Sequence, residues 1–223
     1  MKKAAFLFVA ALVVFGASPL VAKPAAQHKY ATPAPQHLAA LPRGQVRRVA
    51  PFTNIRVSGA GTVYIVRDPR RVVVVQSQPD LVTTTVENGT LYIRGKQGAH
   101  GRAPVITVCS KALASLTNSG AADVRADRLN EIIVELKLTG SGDIVASGKA
   151  QHLTILLMGT GVVDAVRLAA RSADAELDGS GHLKLFARES LSAVVDGRGA
   201  ISYAGHPPHA ITAITGPGAI KRI

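Results

Sequence analysis

Apolar and polar residues alternate with a period of two through much of the chain, and the alternation is phased on a recurring glycine corner. Gly120, Gly140, Gly159, Gly179, Gly197 and Gly216 open six Gly-x-Gly or near-Gly-x-Gly corners, separated by 20, 19, 20, 18 and 19 residues. Two residues before each corner stand Asn118, Leu138, Leu157, Leu177, Val195 and Ile214. Four before stand Leu116, Leu136, Ile155, Ala175, Ala193 and Thr212, and four after stand Val124, Ile144, Val163, Leu183, Ile201 and Ile220. Polar residues such as Lys137, Glu176, Arg125 and Asp164 occupy the positions between. This is the pattern of half-buried strands on both sides of a corner, and no helical period of about 3.6 residues competes with it.

Strand, corner, strand and return, repeated at this spacing, describe one coil of a parallel β-solenoid. The expected fold is therefore all-β, a parallel β-helix with coils of about 19 residues, and the crossover rule favours a right-handed winding. The second corner glycines are Gly142, Gly161, Gly181, Gly199 and Gly218, while Gly120-Ala121-Ala122 lacks one. Glycine is expected at the corners because a sharp turn demands positive φ. An upstream copy, Gly59-Ala60-Gly61, lies 61 residues before Gly120, close to three periods. Strands are expected over 62–66, 71–76, 81–86, 90–94 and 105–109, with Asn88-Gly89 as a tight hairpin turn. The first coils should therefore carry inserted hairpins, and the regular solenoid should begin near residue 110.

Lys2 and Lys3, an apolar run from Ala4 to Phe15, and Gly16-Ala17-Ser18-Pro19-Leu20-Val21-Ala22 have the three parts of a secretory signal peptide. The expected organisation is residues 1–22 signal peptide, 23–50 disordered Ala/Pro/Gln-rich spacer, and 51–223 solenoid domain. The spacer character is plainest from Lys23 to about Gly44. Export to the periplasm or the cell surface of a bacterium follows, with no integral membrane segment after cleavage. The single cysteine, Cys109, excludes an intramolecular disulfide, and Val-Ile-Thr-Val-Cys-Ser places it in a strand as a small hydrophobe.

The 26 basic and 14 acidic residues give a formal net charge of +12, and loss of Lys2 and Lys3 with the signal peptide leaves +10. Such a balance favours polyanionic partners, among them envelope glycans, and a protein partner is the other expectation. Nucleic acid is not expected, because a chain without Trp and with 4 Tyr and 5 Phe offers few stacking platforms. Lys221 and Arg222 near the last coil suit a monomer, since edge charges discourage edge-to-edge pairing.

Candidate chemistry is sparse. Asp178 and Asp196 share the offset before the corner glycine in consecutive repeats, so stacking would bring their carboxylates to about 5 Å. Such a pair could share a proton or hold a cation on a solenoid face, and His182 and Arg198 are the nearest accompanying groups. The plainer alternative makes both aspartates turn residues, as Ser119, Thr139 and Thr215 are at the same offset. The position of Asp143 is held elsewhere by Asp123, Val162, His182, Ala200 and Ala219, which breaks any calcium ladder. His28, His37 and His100 fall in spacer or loop, His206 and His209 flank Pro207-Pro208, and only His152 and His182 are expected in strands, so zinc spacing is absent. No cofactor, metal or catalytic residue is expected.

Phe52-Thr53-Asn54-Ile55-Arg56-Val57 leading into Ser58-Gly59-Ala60-Gly61, the Asn88-Gly89-Thr90-Leu91-Tyr92-Ile93 hairpin, and the later Gly-Ser-Gly-Asp-Ile-like corners resemble the GIN-domain family. That family is described as the head of autotransporter adhesins, and the resemblance covers about residues 51–223. It implies a secreted or periplasmic β-helix, with the adhesin label resting on architecture, and it supplies no catalytic or ligand residues. The leading functional expectation is a non-enzymatic, adhesin-like envelope binding protein. With the chain ending at Ala219-Ile220-Lys221-Arg222-Ile223, a membrane barrel of its own is not expected. The alternative function is a carbohydrate-active enzyme, or a binder of polyanionic polysaccharide, using Asp178 and Asp196.

Overall fold

The computed structural model describes residues 40–96 and 103–223; the expected signal peptide and most of the expected spacer lie outside them. In chain order the strands are β1 (Gln45–Arg48), β2 (Asn54–Ser58), β3 (Ala60–Arg67), β4 (Val72–Val75), β5 (Val82–Glu87), β6 (Thr90–Gly95), β7 (Val105–Ser110), β8 (Ser115–Asn118), β9 (Ala121–Leu138), β10 (Asp143–Leu157), β11 (Val162–Gly179), β12 (His182–Gly197), β13 (Ala200–Ala204), β14 (His209–Thr215) and β15 (Ala219–Arg222). The chain is a β-solenoid. Each of the long strands β9 to β12 runs from one glycine corner to the next and pairs in parallel with its successor.

The register reproduces the rows of the sequence. Asn118, Leu138, Leu157, Leu177, Val195 and Ile214 stand opposite one another in turn, and so do Val124, Ile144, Val163, Leu183, Ile201 and Ile220. Leu138, Leu157 and Leu177 are fully buried, and each such leucine contributes about 2 kcal/mol through removal from water. Stacked aliphatic rows fill most of the interior, with Phe52 the one aromatic residue of the buried cluster among the described residues.

Positive φ, the expected reason for glycine at the corners, holds at some of them only. Gly179 and Gly197 have φ of 132° and 119°, but Gly120, Gly140 and Gly159 are not in the left-handed region. The shared cause is the coil beneath: a Cβ on Gly140 or Gly159 would overlap the carbonyl oxygen of Gly120 or Gly140, and on Gly197 it would lie 2.6 Å from that of Gly179. A second ladder climbs from Ala122 through Gly142, Gly161, Gly181, Gly199 and Gly218 in the same manner. At the corner that lacks its second glycine, the buried Asn118 amide donates to the Ala122 carbonyl (2.7 Å) and its oxygen accepts the Gly120 N–H (3.2 Å). Asn118 thereby enters an otherwise apolar row with both ends satisfied.

The N-terminal coils are ordered in space differently from the sequence. The corner at Gly59 stacks directly on that at Gly120, with Ala60 opposite Ala121, so three periods do not separate them. The intervening chain returns to the other side, where β6 pairs in parallel with β2 and β7 with β3. Gly95 lies under Gly59, with Cα 2.9 Å from where a Cβ of Gly59 would stand, and extends the first ladder by one unforeseen step. Antiparallel β4 and β5 then close this end on β7 and β6, which removes an exposed parallel edge. The β5–β6 hairpin turns at Asn88-Gly89, both with positive φ, as expected.

Within the stretch expected as spacer, Gln45–Arg48 form β1, which pairs antiparallel with β4. At the other end, β13 and β14 together cover β12, and β15 covers β13. Among the described residues nothing covers β14, whose residues are all exposed. His209 is the first residue of this strand, so a third histidine joins His152 and His182 in strands. Among the described residues no helix is long and apolar enough to cross a membrane.

Candidate functional site

The four residues singled out from the sequence surround one corner column. Asp178 and Asp196 are in register on β11 and β12, and both are exposed. The structure thus brings their backbones together, at the coil spacing of about 4.8 Å. His182 opens β12 beyond the corner, in register with Val162 and Ala200. Arg198 follows Gly197 and gives its backbone N–H to the Gly179 carbonyl (2.9 Å). Among the described residues no hydrogen bond or ion pair joins these four side chains, and the clefts of the surface described below have other linings.

A polar group that the sequence reading missed forms where β10 and β11 stack. His152 is in register with Ser172; its Nδ1 lies 2.8 Å from Ser172 Oγ and its Nε2 lies 3.1 Å from Asp174 Oδ2. Serine, histidine and carboxylate in this order resemble a nucleophilic constellation. The surroundings differ from one. Ser172 sits inside a regular strand paired on both sides, to His152 and to Ser190, so its neighbouring amides serve the ladders and cannot form an oxyanion hole. With side chains of His152 and Asp174 41% and 54% exposed, water screens the pair.

The larger assembly is a row of cations along the edge farthest along each coil from the glycine corner. Arg67, Arg128, Lys149, Arg167 and Arg188 follow the corners at Gly59, Gly120, Gly140, Gly159 and Gly179 by 8, 8, 9, 8 and 9 residues, and His206 follows Gly197 by 9. All six are exposed, one to each of six stacked coils. Asn130, Lys149, Ala169, Phe186 and Ala204 share one register row, which places these residues at the same edge. The offset signal was available in the sequence, but the strands slip there. β9 holds one residue more than β10 between paired positions, and Arg128 takes a left-handed φ of 58°. β11 holds three residues, Val166 to Leu168, where β12 has none.

Acids on this edge are already engaged. Glu131 meets Arg67 (3.2 Å), Glu189 meets Arg171 (2.6 Å), Asp68 meets Arg70 (2.6 Å) and Asp127 takes the Ser147 hydroxyl (2.6 Å). The side chains of Lys111, Arg128, Lys149, Arg167 and Arg188 have no such partner among the described residues. Two open clefts mark the row. One of about 600 Å³ lies over Ala169 and Ala170 between Lys149 and Arg188, and one of about 360 Å³ lies among Arg67, Lys111 and Arg128.

Cys109 belongs to none of these surfaces. It is fully buried with Val72 and Val74 under Leu41, and burial pushes its thiol up to about 11. No group of three or more metal-ligating side chains forms among the described residues.

A family model described as "Putative auto-transporter adhesin, head GIN domain" matches residues 51–207. Among solved structures the chain is similar to a "putative adhesin" from Bacteroides fragilis at 25% identity and a TM-score of 0.60, over 80% of this chain and 95% of that one. It is also similar to a "putative adhesin" from Parabacteroides merdae, at 18% identity and a TM-score of 0.44, with coverage of 80% and 95%. A "putative lipid binding protein" from Parabacteroides distasonis matches at 24% identity and 0.41, with the same coverage. A search of curated proteins finds no match. With the matched segment spanning most of the chain and the corners, hairpin and stacking order all in place, the chain belongs to the GIN-domain family.

Proposed function

We propose that this chain is an exported, non-enzymatic binding protein of the bacterial cell envelope, adhesin-like in its use of a rigid solenoid surface. The observation that carries this reading is the register: side chains outside the core are held in straight rows at coil spacing, on a backbone whose corners admit no Cβ. Such rows present repeated contacts without a backbone ordering cost at binding. The adhesin description of the family and of the Bacteroides fragilis neighbour points the same way. The basic signal-like start, Lys2-Lys3 with its apolar run, supports export.

A second reading, a carbohydrate-active enzyme built on Asp178 and Asp196, draws support from their register. The exposure of both carboxylates weighs against it, since a general acid needs a desolvated site to hold its proton near neutrality.

The experiment uses residues 23–223 with bacterial envelope fractions and a glycan array. Retention by envelope material, unchanged in Asp178→Asn/Asp196→Asn, is the expected result. A protein that stays wholly in the supernatant and binds no glycan would overturn the binding reading. Glycan cleavage that vanishes in the double variant would replace it with the enzyme.

A further inference from the structure

The basic row gives this surface a chemistry. Six stacked coils at about 4.8 Å each spread six basic side chains over roughly 24 Å of the solenoid axis, as a staggered band: Arg167 is opposite Ser147, whereas Lys149 is opposite Ala169, two residues farther along the coil. Chance would scatter them. Instead each follows its corner by 8 or 9 residues. Of the acids beside them Glu131 pairs with Arg67 of the row itself, Asp68 with Arg70 and Glu189 with Arg171, while Asp127 accepts the Ser147 hydroxyl, which is no counter-charge. Among the described residues, the four row residues without an acidic partner, Arg128, Lys149, Arg167 and Arg188, outnumber the one acid here without a basic partner, Asp127, and leave an edge that attracts an extended anion.

The cleft between Lys149 and Arg188 shows what kind. Ala169 is exposed and stands in register between Lys149 and Phe186, so its methyl group lies between longer side chains, while the neighbouring Ala150, Ala170 and Ala187 are buried in the core. Its volume of about 600 Å³ falls inside the range of small-molecule sites, about 300–1,000 Å³. Phe186 is half-buried on one wall and Gln151 is exposed on the other. An apolar ring face, an amide for hydroxyl groups, a guanidinium fork and an ammonium together suit a pyranose that bears a carboxylate or sulfate. Nucleic acid fits less well, because one half-buried phenylalanine cannot stack successive bases.

Resting on the reading of an envelope-binding protein, we infer that the row from Arg67 to Arg188 binds a linear acidic polysaccharide laid along the solenoid axis. One acidic sugar occupies the cleft over Ala169 and Ala170, its anionic group held by Lys149 and Arg188 and its ring against Phe186. The free residues Arg128 and Arg167 contact neighbouring sugars. Arg128 stands exposed where β9 holds its extra residue, with a left-handed φ of 58°.

The test is titration of residues 23–223 with a short oligogalacturonate, neutral dextran of matching length, and single-stranded oligothymidylate of matching charge. Expected is binding of oligogalacturonate, weakening with salt, and none of dextran. Lys149→Gln/Arg188→Gln should weaken it at least ten-fold, and Phe186→Leu should weaken it several-fold. Lys96→Gln/Lys221→Gln, which removes the same charge elsewhere, should change it less than two-fold. Equal losses in both double variants would reduce the row to bulk charge and sink the assignment. Tighter binding of oligothymidylate would overturn the polysaccharide. If the Lys149/Arg188 variant binds oligogalacturonate as the parent does while envelope retention persists, the row is wrong and the binding protein stands. Thermal melts of each variant guard against loss of fold.

Discussion

The carbonyl oxygen of Gly142 occupies the space that a Cβ on Gly161 would need, and Leu138 Cδ2 stands 3.0 Å away on the same side. Backbone cannot retreat in a coil paired on both faces. Gly161→Ala should therefore cost about 3 kcal/mol, the upper range for overpacking. Gly89→Ala, with φ of 71° but nothing within 4 Å, should cost only about 1 kcal/mol of conformational strain. Urea unfolding of the two variants measures the difference. Equal stabilities would refute close approach as the reason for the ladder.

Asn118 is a polar residue in a leucine row because its own corner is imperfect. Its side chain satisfies the Ala122 carbonyl and the Gly120 N–H. Asn118→Ala should lose about 1–3 kcal/mol, because the freed backbone groups stay buried. Asn118→Leu, which matches Leu138 and Leu157, should also destabilise. A leucine variant more stable than the parent in chemical denaturation would show that row packing outweighs the cap.

The alternation and the corner spacing carried most of the solenoid, since both are local properties repeated in step. Leu138, Leu157 and Leu177 could be assigned to one row from offset alone. The stacking of β6 and β7 outside β2 and β3 could not, because spacing along the chain does not say on which side a returning segment pairs. Gly95 went unnoticed as a corner for that reason. The basic row was hidden by a different effect. Search at a fixed offset near the glycines finds Asp178 and Asp196, whereas the cations sit beyond bulges that shift the count between 8 and 9.

Asp178 and Asp196 stand in register with no hydrogen bond or ion pair of their side chains among the described residues. Like charges opposite one another on a sheet oppose folding, here by about 0.3 kcal/mol given their exposure. Asp196→Asn should therefore raise the melting temperature slightly in low salt and leave it unchanged at about 1 M salt, where the screening length falls to about 3 Å. A decrease in low salt would mean that the carboxylate has a favourable partner.

Burial pushes the Cys109 thiol from 9.0 up to about 11. The folded state therefore favours the neutral thiol. Its contribution is complete below pH 9.0, the unfolded value, and is lost as pH rises toward about 11. Between those limits the melting temperature should fall more steeply for the parent than for Cys109→Ala. At pH 8 a thiol reagent should label Cys109 only after denaturant is added. Immediate labelling of the folded protein would contradict the packing of Cys109 with Val72 and Val74.

The open end of the solenoid is guarded on one half only. β15 carries Lys221 and Arg222, whereas β14, His209-Ala210-Ile211-Thr212-Ala213-Ile214-Thr215, carries no Lys, Arg, Asp or Glu and leaves Ile211 75% exposed. A strand of this composition, paired with β12 on one side and with nothing on the other among the described residues, invites another edge. The two charges next to it oppose that approach while they are unscreened. The protein should thus be a monomer in low salt and begin to associate at high salt. Lys221→Gln/Arg222→Gln should associate without added salt, and Ile211→Lys should remain monomeric throughout. Molar mass by light scattering across a concentration series distinguishes these cases. If removing Lys221 and Arg222 leaves the mass unchanged, edge charge is not what keeps the coils of separate molecules apart.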